Sequence, residues 1–239
     1  MIREILDDLF GRELLDAHPD EWGICAYCDH PSAMGYATTI TPEAIGKAVD
    51  LNVDLIVTHH DAWDFMFEQC EEVQSLLKEN GLTHVWAHLP LDLADFGTSA
   101  TLLSEMGCAP VAVLQHAGGR VGERPEFAPL GALRERLTTL MSEQPCRVYD
   151  AGRAVRRVAT VTGAGFYTNF LRDALSYDVD LYVTGETSLF LLEYAKFRKV
   201  NVLVYSHNYT ELPGVRAFAE RIAGALGLDM KGHLGDSHW

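Results

Sequence analysis

Short apolar, β-branched runs alternate with helix-like stretches along most of this chain. The runs within Val53–His60 and Val179–Glu186 are apolar at consecutive positions, which is typical of parallel strands buried on both faces. Segments with apolar residues at helical spacing precede and follow each run. This order of strand, helix and strand predicts an α/β fold with parallel strands and right-handed crossovers.

The pattern occurs twice. Val53–His60 reads VDLIVTHH, and Val179–Glu186 reads VDLYVTGE. Each copy is followed by a second strand-like run that ends in a histidine, with a carboxylate four residues further on. The two pairs are His88 with Asp92 and His207 with Glu211. We therefore expect an internal duplication that covers two strands and two helices in each half.

Local signals predict the remaining elements. Ile2–Ala17 has the apolar spacing of one amphipathic helix, and Tyr36–Ile40 has the composition of a strand. Further helices are predicted near 42–51, 71–80, 130–141, 171–175 and 189–197, and a further strand over 157–161.

These elements divide the chain into an N-terminal α/β half over 1–117, a connector with a helix over 118–156, and a C-terminal α/β half over 157–239. The last eight residues, 232–239, are predicted to be a mobile tail. Its histidines, His233 and His238, are accessory ligand candidates.

Composition excludes several classes of protein. With 239 residues, 48% of them hydrophobic, the chain suffices for one large or two small cores. Its apolar runs stop well short of the roughly 20 residues of a membrane span, and the N-terminus has no signal-peptide pattern. The formal charge of −15 repels phosphate backbones and anionic lipids. We therefore expect a cytoplasmic protein that binds neither membranes nor, through a basic face, nucleic acid.

The five cysteines are an odd number in a chain of ordinary size, which predicts reduced thiols. Cys25 and Cys28 have the spacing of a redox or metal pair, and Asp29 and His30 follow them. A zinc site would require a second matching pair, which the sequence lacks. The alternative is a partly buried loop, and the role of the pair is left open.

Metal-type side chains follow the predicted strands of both halves. Ligands of open α/β sheets bind at the carboxyl ends of the strands, so this clustering has a physical reason. Imidazole and carboxylate ligands suit Zn, Mn, Fe, Co or Ni. The candidates are His59, His60, Asp92, His207 and Glu211. Five ligands are too many for one tetrahedral catalytic ion with an open position, so we expect two divalent ions per chain.

The paired histidines pose a geometric problem. Successive side chains in a strand point to opposite faces, so His59 and His60 cannot both reach one centre from extended backbone. We expect the chain to leave strand geometry there, with Asp61 and Asp64 as solvated residues of the following turn.

Two further residues are candidates for catalysis. His88 is the repeat counterpart of His207, and its possible roles are orienting Asp92, transferring protons, or packing as a hydrogen-bonded core histidine. Glu186 is a general base, a partner of a metal ligand, or a cap of the next helix. The GAG sequence of 163–165 does not match a dinucleotide or P-loop fingerprint and predicts a tight turn between strand and helix.

These motifs resemble the Nif-three-like family of dinuclear-metal proteins, also known as GTP cyclohydrolase 1 type 2. The resemblance spans nearly the whole chain. The matching segments are Asp54–His60, His88–Asp92 with Gly97 and Leu102–Leu103, Gly163–Gly165, Asp180–Glu186, and Ser206–Glu211 with Gly214. The family implies two intertwined, internally repeated α/β lobes with a two-ion site between them, and a homohexamer. Its metal ligands correspond to His59, His60, Asp92, His207 and Glu211.

Two departures from the family pattern are visible. Asp61 stands where the family usually has Pro, and the family's Trp-Asp-Asn-x-Gly-Leu is here Glu21–Ile24. Both affect the expected pocket more than the metal ligands.

The leading hypothesis is a hydrolase in which two divalent ions activate water against a small metabolite, with GTP cyclohydrolase-like ring opening implied by the resemblance. A different class, a metal-handling or regulatory binding protein without turnover, is the alternative. A third interpretation is a scaffold whose site is vestigial.

Overall fold

The computed structural model describes residues 1–115 and 118–236. The strands are β1 (Trp22–Cys25), β2 (Ala33–Tyr36), β3 (Leu55–Thr58), β4 (Thr83–Ala87), β5 (Ala109–Val113), β6 (Arg120–Ala128), β7 (Arg147–Tyr149), β8 (Val155–Val161), β9 (Leu181–Thr184), β10 (Asn201–Val204) and β11 (Asp229–His233). The helices are α1 (Ile2–Phe10), α2 (Arg12–Ala17), α3 (Pro42–Asp50), α4 (Glu68–Glu79), α5 (Leu89–Leu93), α6 (Thr98–Glu105), α7 (Leu130–Met141), α8 (Thr168–Leu175), α9 (Leu189–Arg198) and α10 (His207–Leu226).

The chain forms two compact units. The first unit contains Met1–Ala94 and the described residues from Val215 onward, and the second unit contains Asp95–Gly214. The first unit is thus built from both ends of the chain. The boundaries predicted from the repeat, after 117 and 156, lie elsewhere and stay a prediction. The segment 118–156 does contain its helix, α7, but also the sheet strands β6 and β7.

The duplication is visible as two sets of three parallel strands. In the first unit a five-stranded sheet has the order β1-β4-β3-β2-β11, in which β2, β3 and β4 are parallel neighbours. In the second unit a six-stranded sheet has the order β5-β6-β8-β9-β10-β7, in which β8, β9 and β10 are parallel neighbours. The predicted α/β class and the order of strands and helices in each repeat are therefore confirmed.

The second unit buries its sheet on both faces. Along β9, Leu181 and Val183 pack with α7 residues such as Leu137. Tyr182, between them in sequence, packs instead with Leu171 of α8 and other residues on the opposite face. This alternation explains why the strand is apolar at every position.

Two predicted elements differ from those in the structure. The opening helix is interrupted at Gly11, which has φ +82° and separates α1 from α2. The predicted strand over Tyr36–Ile40 instead ends at Tyr36 as β2. Thr38 and Thr39 continue past it as irregular backbone that contacts the segment following β3.

Residues 232–236, the described part of the predicted tail, pack within the first unit instead of forming a mobile segment, and 237–239 lie outside the described residues. β11 pairs with β2, and Leu234 is buried. The carboxylate of Asp236, whose side chain is 1% exposed, accepts the N–H groups of Thr38 and Thr39 at 2.9–3.1 Å and contacts His233 Nε2 at 2.8 Å. His238 lies outside the described residues.

Replacing Asp236 by Asn is expected to lower the free energy of unfolding by about 1–2 kcal/mol, because a charged acceptor of buried N–H groups is replaced by a weaker one. Chemical denaturation of the metal-free protein measures this. The control is Asp229→Asn, since Asp229 is 68% exposed, and it is expected to change stability by less than about 0.5 kcal/mol. Equal effects of the two substitutions would contradict the anchoring role of Asp236.

Across residues 1–115 and 118–236, every helix is too short or too polar to span a bilayer.

Candidate metal centre

The chain bulges at the paired histidines. β3 ends at Thr58, and the N–H groups of His59 and His60 both donate to the carbonyl of Thr38, at 3.0 and 2.8 Å. Two consecutive N–H groups on one carbonyl oxygen give the local irregularity of a bulge. As a result the two imidazole centroids lie 4.6 Å apart. The expected departure from strand geometry is confirmed.

Three histidines of the first unit form a group that we call the histidine cluster: His59, His60 and His88. One ring nitrogen of each lies within 4.8 Å of those of the other two. His59 and His60 are buried, whereas the His88 side chain is 36% exposed. His88 therefore lies beside the two predicted ligands, His59 and His60. Its assignment to catalysis stays a prediction.

Hydrogen bonds orient the three rings. His59 Nδ1 lies 2.9 Å from the carbonyl of Ala87, and His88 Nδ1 lies 2.6 Å from Glu21 Oε2. A carbonyl and a carboxylate oxygen accept, so Nδ1 of each ring is the donor and Nε2 is the nitrogen left to face an ion. His60 Nδ1 contacts Thr39 Oγ1 at 2.9 Å. Such partners are typical of metal-ligating histidines, so the donor set fits a divalent ion.

Asp92 lies beside this cluster. It is in the short helix α5, which begins directly after His88. Its Oδ1 is 3.6 Å from His59 Nε2, and its side chain is 16% exposed. The carboxylate predicted as a ligand is therefore next to a predicted imidazole ligand of the same unit.

A buried polar chain supports the His60 backbone. Thr58 Oγ1 donates to the His60 carbonyl at 2.8 Å, so it accepts from His84 Nε2, also at 2.8 Å. Burial lowers the pKa of His84 to about 3, which keeps the imidazole neutral. Asp61 Oδ1 lies 3.7 Å from His84 Nδ1. The Asp61 side chain is 19% exposed, so it is more buried than the solvated turn residue that we expected, and this burial raises its pKa.

The second unit contains a separate group that we call the His207 cluster: His207, Glu186 and Glu211. Glu186 Oε1 lies 2.6 Å from His207 Nδ1, and Glu211 Oε1 lies 3.3 Å from Nε2. Burial acts to lower the pKa of His207, but hydrogen bonds and charge from Glu211 and Glu186 outweigh it and raise the pKa to about 9. Of the roles considered for Glu186, the geometry supports that of a partner of a predicted ligand.

Glycine makes room for the His207 cluster. Gly163 has φ +59°, and a Cβ on it would lie 2.1 Å from Glu211 Oε1 and 2.8 Å from His207 Nε2. Gly165 N–H donates to the Gly163 carbonyl at 3.0 Å, which closes a tight turn between β8 and α8. The turn predicted from the GAG sequence is therefore present.

Glu21 and Thr39 were missed by the sequence interpretation. Glu21 precedes β1, whose antiparallel pairing with β4 brings Trp22 opposite Ala87. The position of Glu21 thus depends on an edge-strand pairing that no local sequence pattern predicts. The one signal in the sequence that pointed to Glu21 was its place in the segment where the family motif is altered.

The cysteine pair lies at the end of β1, which contains Cys25, and in the loop that follows, which contains Cys28. Cys25 and Cys28 are free and partly buried. Across the described part of the chain, no group of three metal-type side chains includes either thiol.

Two sheets with parallel strand triplets, and histidine–carboxylate clusters after those strands, define a mixed α/β protein with metal-type ligand sets. The chain belongs to the Duf34/NIF3 (NGG1p interacting factor 3) family, whose model matches residues 4–232.

The chain is similar to named relatives over most of its length. It is 30% identical over 211 residues to a protein of Halobacterium salinarum named "GTP cyclohydrolase 1 type 2 homolog", covering 83% of this chain and 82% of that one. It is 29% identical to a Neisseria meningitidis serogroup B protein of the same name, covering 81% and 80%.

Solved structures share the fold. A Thermus thermophilus protein has a TM-score of 0.83 at 24% identity, covering 99% of this chain and 97% of that one. A Bacillus cereus protein described as related to NIF3 has a TM-score of 0.74 at 15% identity, covering 97% and 94%.

Proposed function

We propose that this protein is a metal-dependent hydrolase of a small metabolite. The proposed ligands of its two divalent ions are His59, His60, Asp92, His207 and Glu211. The observation that carries the proposal is the histidine cluster, in which three imidazoles converge and two of them have Nδ1 engaged by an acceptor, which leaves Nε2 to face an ion. Ions bound by such ligands acidify a water molecule and polarise the bond under attack. The single bimetallic centre expected from the sequence stays a prediction.

The chain's own residues fix the protonation states that this activity requires. Glu186 accepts the proton of His207 Nδ1, which leaves Nε2 as the donor atom once that nitrogen is deprotonated. Glu21 accepts the proton of His88 Nδ1 in the same way. Because His88 is partly exposed, it can exchange protons with solvent or substrate. His88 is therefore the proposed proton-transfer residue.

The names of the relatives suggest the reaction to test. Because several are named GTP cyclohydrolase 1 type 2 homologs, we propose hydrolytic ring opening of the cyclohydrolase type. A homohexamer, which rests on the family resemblance, and the cytoplasmic location expected from the composition complete the proposal.

One observation favours a second candidate function. His88 and Glu21 are 36% and 37% exposed, so solvent and competing ligands reach one side of the histidine cluster. Partial exposure suits a protein that exchanges ions and passes them on. This candidate predicts fast metal exchange with a chelator and no turnover.

Substitution of His59 tests the proposal. Protein purified without chelators is expected to contain divalent ions, and His59→Ala is expected to lower metal affinity by at least about tenfold, because loss of a residue that merely orients a ligand already costs that much. Elemental analysis after dialysis against defined metal concentrations measures this. His30→Ala is the matched control, since His30 is exposed and lies outside the cluster.

The outcomes separate the candidates. Metal-loaded wild-type protein that hydrolyses GTP or related ring compounds, with loss in His59→Ala, supports the hydrolase. Stable metal content without hydrolysis supports metal handling. Wild-type protein that binds no divalent ion contradicts both.

A further inference from the structure

The loop that follows the paired histidines is rich in aromatic side chains. Trp63, Phe65 and Phe67 occupy three of five consecutive positions. The Trp63 ring centroid lies 5.5 Å from that of His60 and 5.3 Å from that of His88. An aromatic surface therefore adjoins the histidine cluster within the first unit.

Two of these rings form a stacked pair that we call the aromatic platform, Trp63 and Phe65. Their centroids are 5.5 Å apart with an interplanar angle of 24°. Phe65 is nevertheless 65% exposed, and Phe67 is 72% exposed. Adjacent exposed aromatic rings beside convergent polar groups are typical of a binding site rather than of an inert surface.

The backbone holds the loop in an unusual conformation. Phe67 has φ +53° and ψ −126°, which a bulky residue rarely adopts. Hydrogen bonds on both sides fix it, from Phe67 N–H to the Asp64 carbonyl and from Cys70 N–H to the Phe67 carbonyl. Such conformations persist where the surrounding structure imposes them, and they are frequent at ligand sites. The platform is thus presented by a constrained loop.

The charge around the platform selects against phosphate. Between 48 and 94 the chain has nine acidic residues and one basic residue, Lys78. Of these nine, Asp92 lies beside His59, Asp61 beside His84, and Asp64 is exposed within the loop, and Glu21 adds one more carboxylate beside His88. Polyphosphates are bound by Arg, Lys and N–H donors. Carboxylates instead accept the N–H groups of nitrogen heterocycles.

We propose that the aromatic platform binds the planar heteroaromatic ring of an uncharged or cationic ligand, of the nucleobase, nucleoside or pterin class, beside the histidine cluster. The inference rests on the proposed function, since the bound ring is the substrate of that site. Trp63 and Phe65 supply a face for stacking, and the acidic surroundings disfavour a nucleoside triphosphate.

Ligand binding tests this directly. The probes are guanosine, uridine and biopterin, with GTP as the charged comparison and ribose 5-phosphate as the compound without a ring. Dissociation constants are measured by tryptophan fluorescence quenching and confirmed by saturation-transfer NMR. Measurements use both metal-loaded and chelator-treated protein. The variants are Phe65→Ala, the conservative Phe65→Tyr, and Phe190→Ala as a matched control, since Phe190 is 74% exposed in the second unit.

At least one ring compound is expected to bind more tightly than GTP, and Phe65→Ala is expected to weaken it by at least about fivefold, as base–aromatic stacking predicts. Phe65→Tyr and Phe190→Ala are expected to change it by less than about twofold. Failure of all three ring compounds to bind, tighter binding of GTP, or no difference between Phe65→Ala and Phe190→Ala overturns the proposal.

Metal content separates this result from the proposed function. Phe65→Ala is expected to retain the metal of the wild type. If the protein binds ring compounds but holds no metal, the result would support the ligand role of the aromatic platform and contradict the proposed hydrolase function. A change of oligomeric state in Phe65→Ala without a change in ring binding would identify the platform as a subunit contact and overturn its ligand role.

Discussion

Replacing Gly163 by Ala is expected to abolish the ligand geometry of the His207 cluster and to lower the free energy of unfolding by about 2–5 kcal/mol. The added Cβ would lie 2.1 Å from Glu211 Oε1, so the carboxylate must move. The left-handed backbone at φ +59° adds a penalty of about 1–2 kcal/mol for any L side chain. Overpacking of a buried site costs about 1–3 kcal/mol more. Denaturation of metal-free protein and elemental analysis of loaded protein measure the two effects.

Substitutions of two other glycines separate the backbone penalty from the steric clash at Gly163. Gly152 has φ +73° with nothing within 4 Å of its added Cβ, so Gly152→Ala isolates the backbone penalty. Gly131 is helical and equally open, so Gly131→Ala is expected to stabilise by about 0.5–1 kcal/mol. Both variants are expected to keep the metal content of the wild type. Retained metal content in Gly163→Ala would mean that Glu211 is not a ligand.

Lowering the pH from 7 to 4.5 is expected to reduce the free energy of unfolding by about 2–3 kcal/mol through His84 alone. Burial lowers the pKa of His84 from 6.5 to about 3. The unfolded chain therefore takes up a proton as the pH falls below 6.5, whereas the native protein does so only near pH 3. His84 therefore has little effect on the free energy of unfolding above pH 6.5, and it lowers that free energy progressively as the pH falls from 6.5 toward 3. Urea denaturation of metal-free protein across this range measures it.

His84→Gln is the control, because its amide can still donate to Thr58 but does not titrate. The difference in stability between wild type and variant is expected to shrink or reverse as the pH falls. An unchanged difference from pH 7 to 4.5 would show that His84 takes up its proton in the native protein as readily as in the unfolded chain, and would contradict the effect of burial.

The sequence predicted the parallel core of both units, because each strand there is buried on two faces and so is apolar throughout. β3 and β9 are examples, with their helices on either side. The outer strands were harder to predict. β5 is largely exposed, with Val111 and Val113 at 47% and 55%, and β7 has only three residues. Such edge strands carry little periodic signal because one side of the strand faces solvent, and β7 in addition pairs with β10, which is distant in sequence.

The site was predictable to the same extent. His59, His60, Asp92, His207 and Glu211 are predicted as ligands because they follow the strands of the repeat, and that role stays a prediction. The hydrogen-bond partners of the cluster, Thr39 at His60 and Glu21 at His88, come from other parts of the chain and are residue types common on any surface. Their roles depend on tertiary contacts that a single sequence does not display.

The discontinuous first unit has a consequence for biosynthesis. Asp95–Gly214 is one uninterrupted stretch, so the second unit can acquire its native structure while the ribosome is still translating. The five-stranded sheet lacks an outer strand until Asp229–His233 has emerged from the exit tunnel. During that interval β2 has an open edge, which is where nascent chains of this protein are most exposed to chaperones and to aggregation.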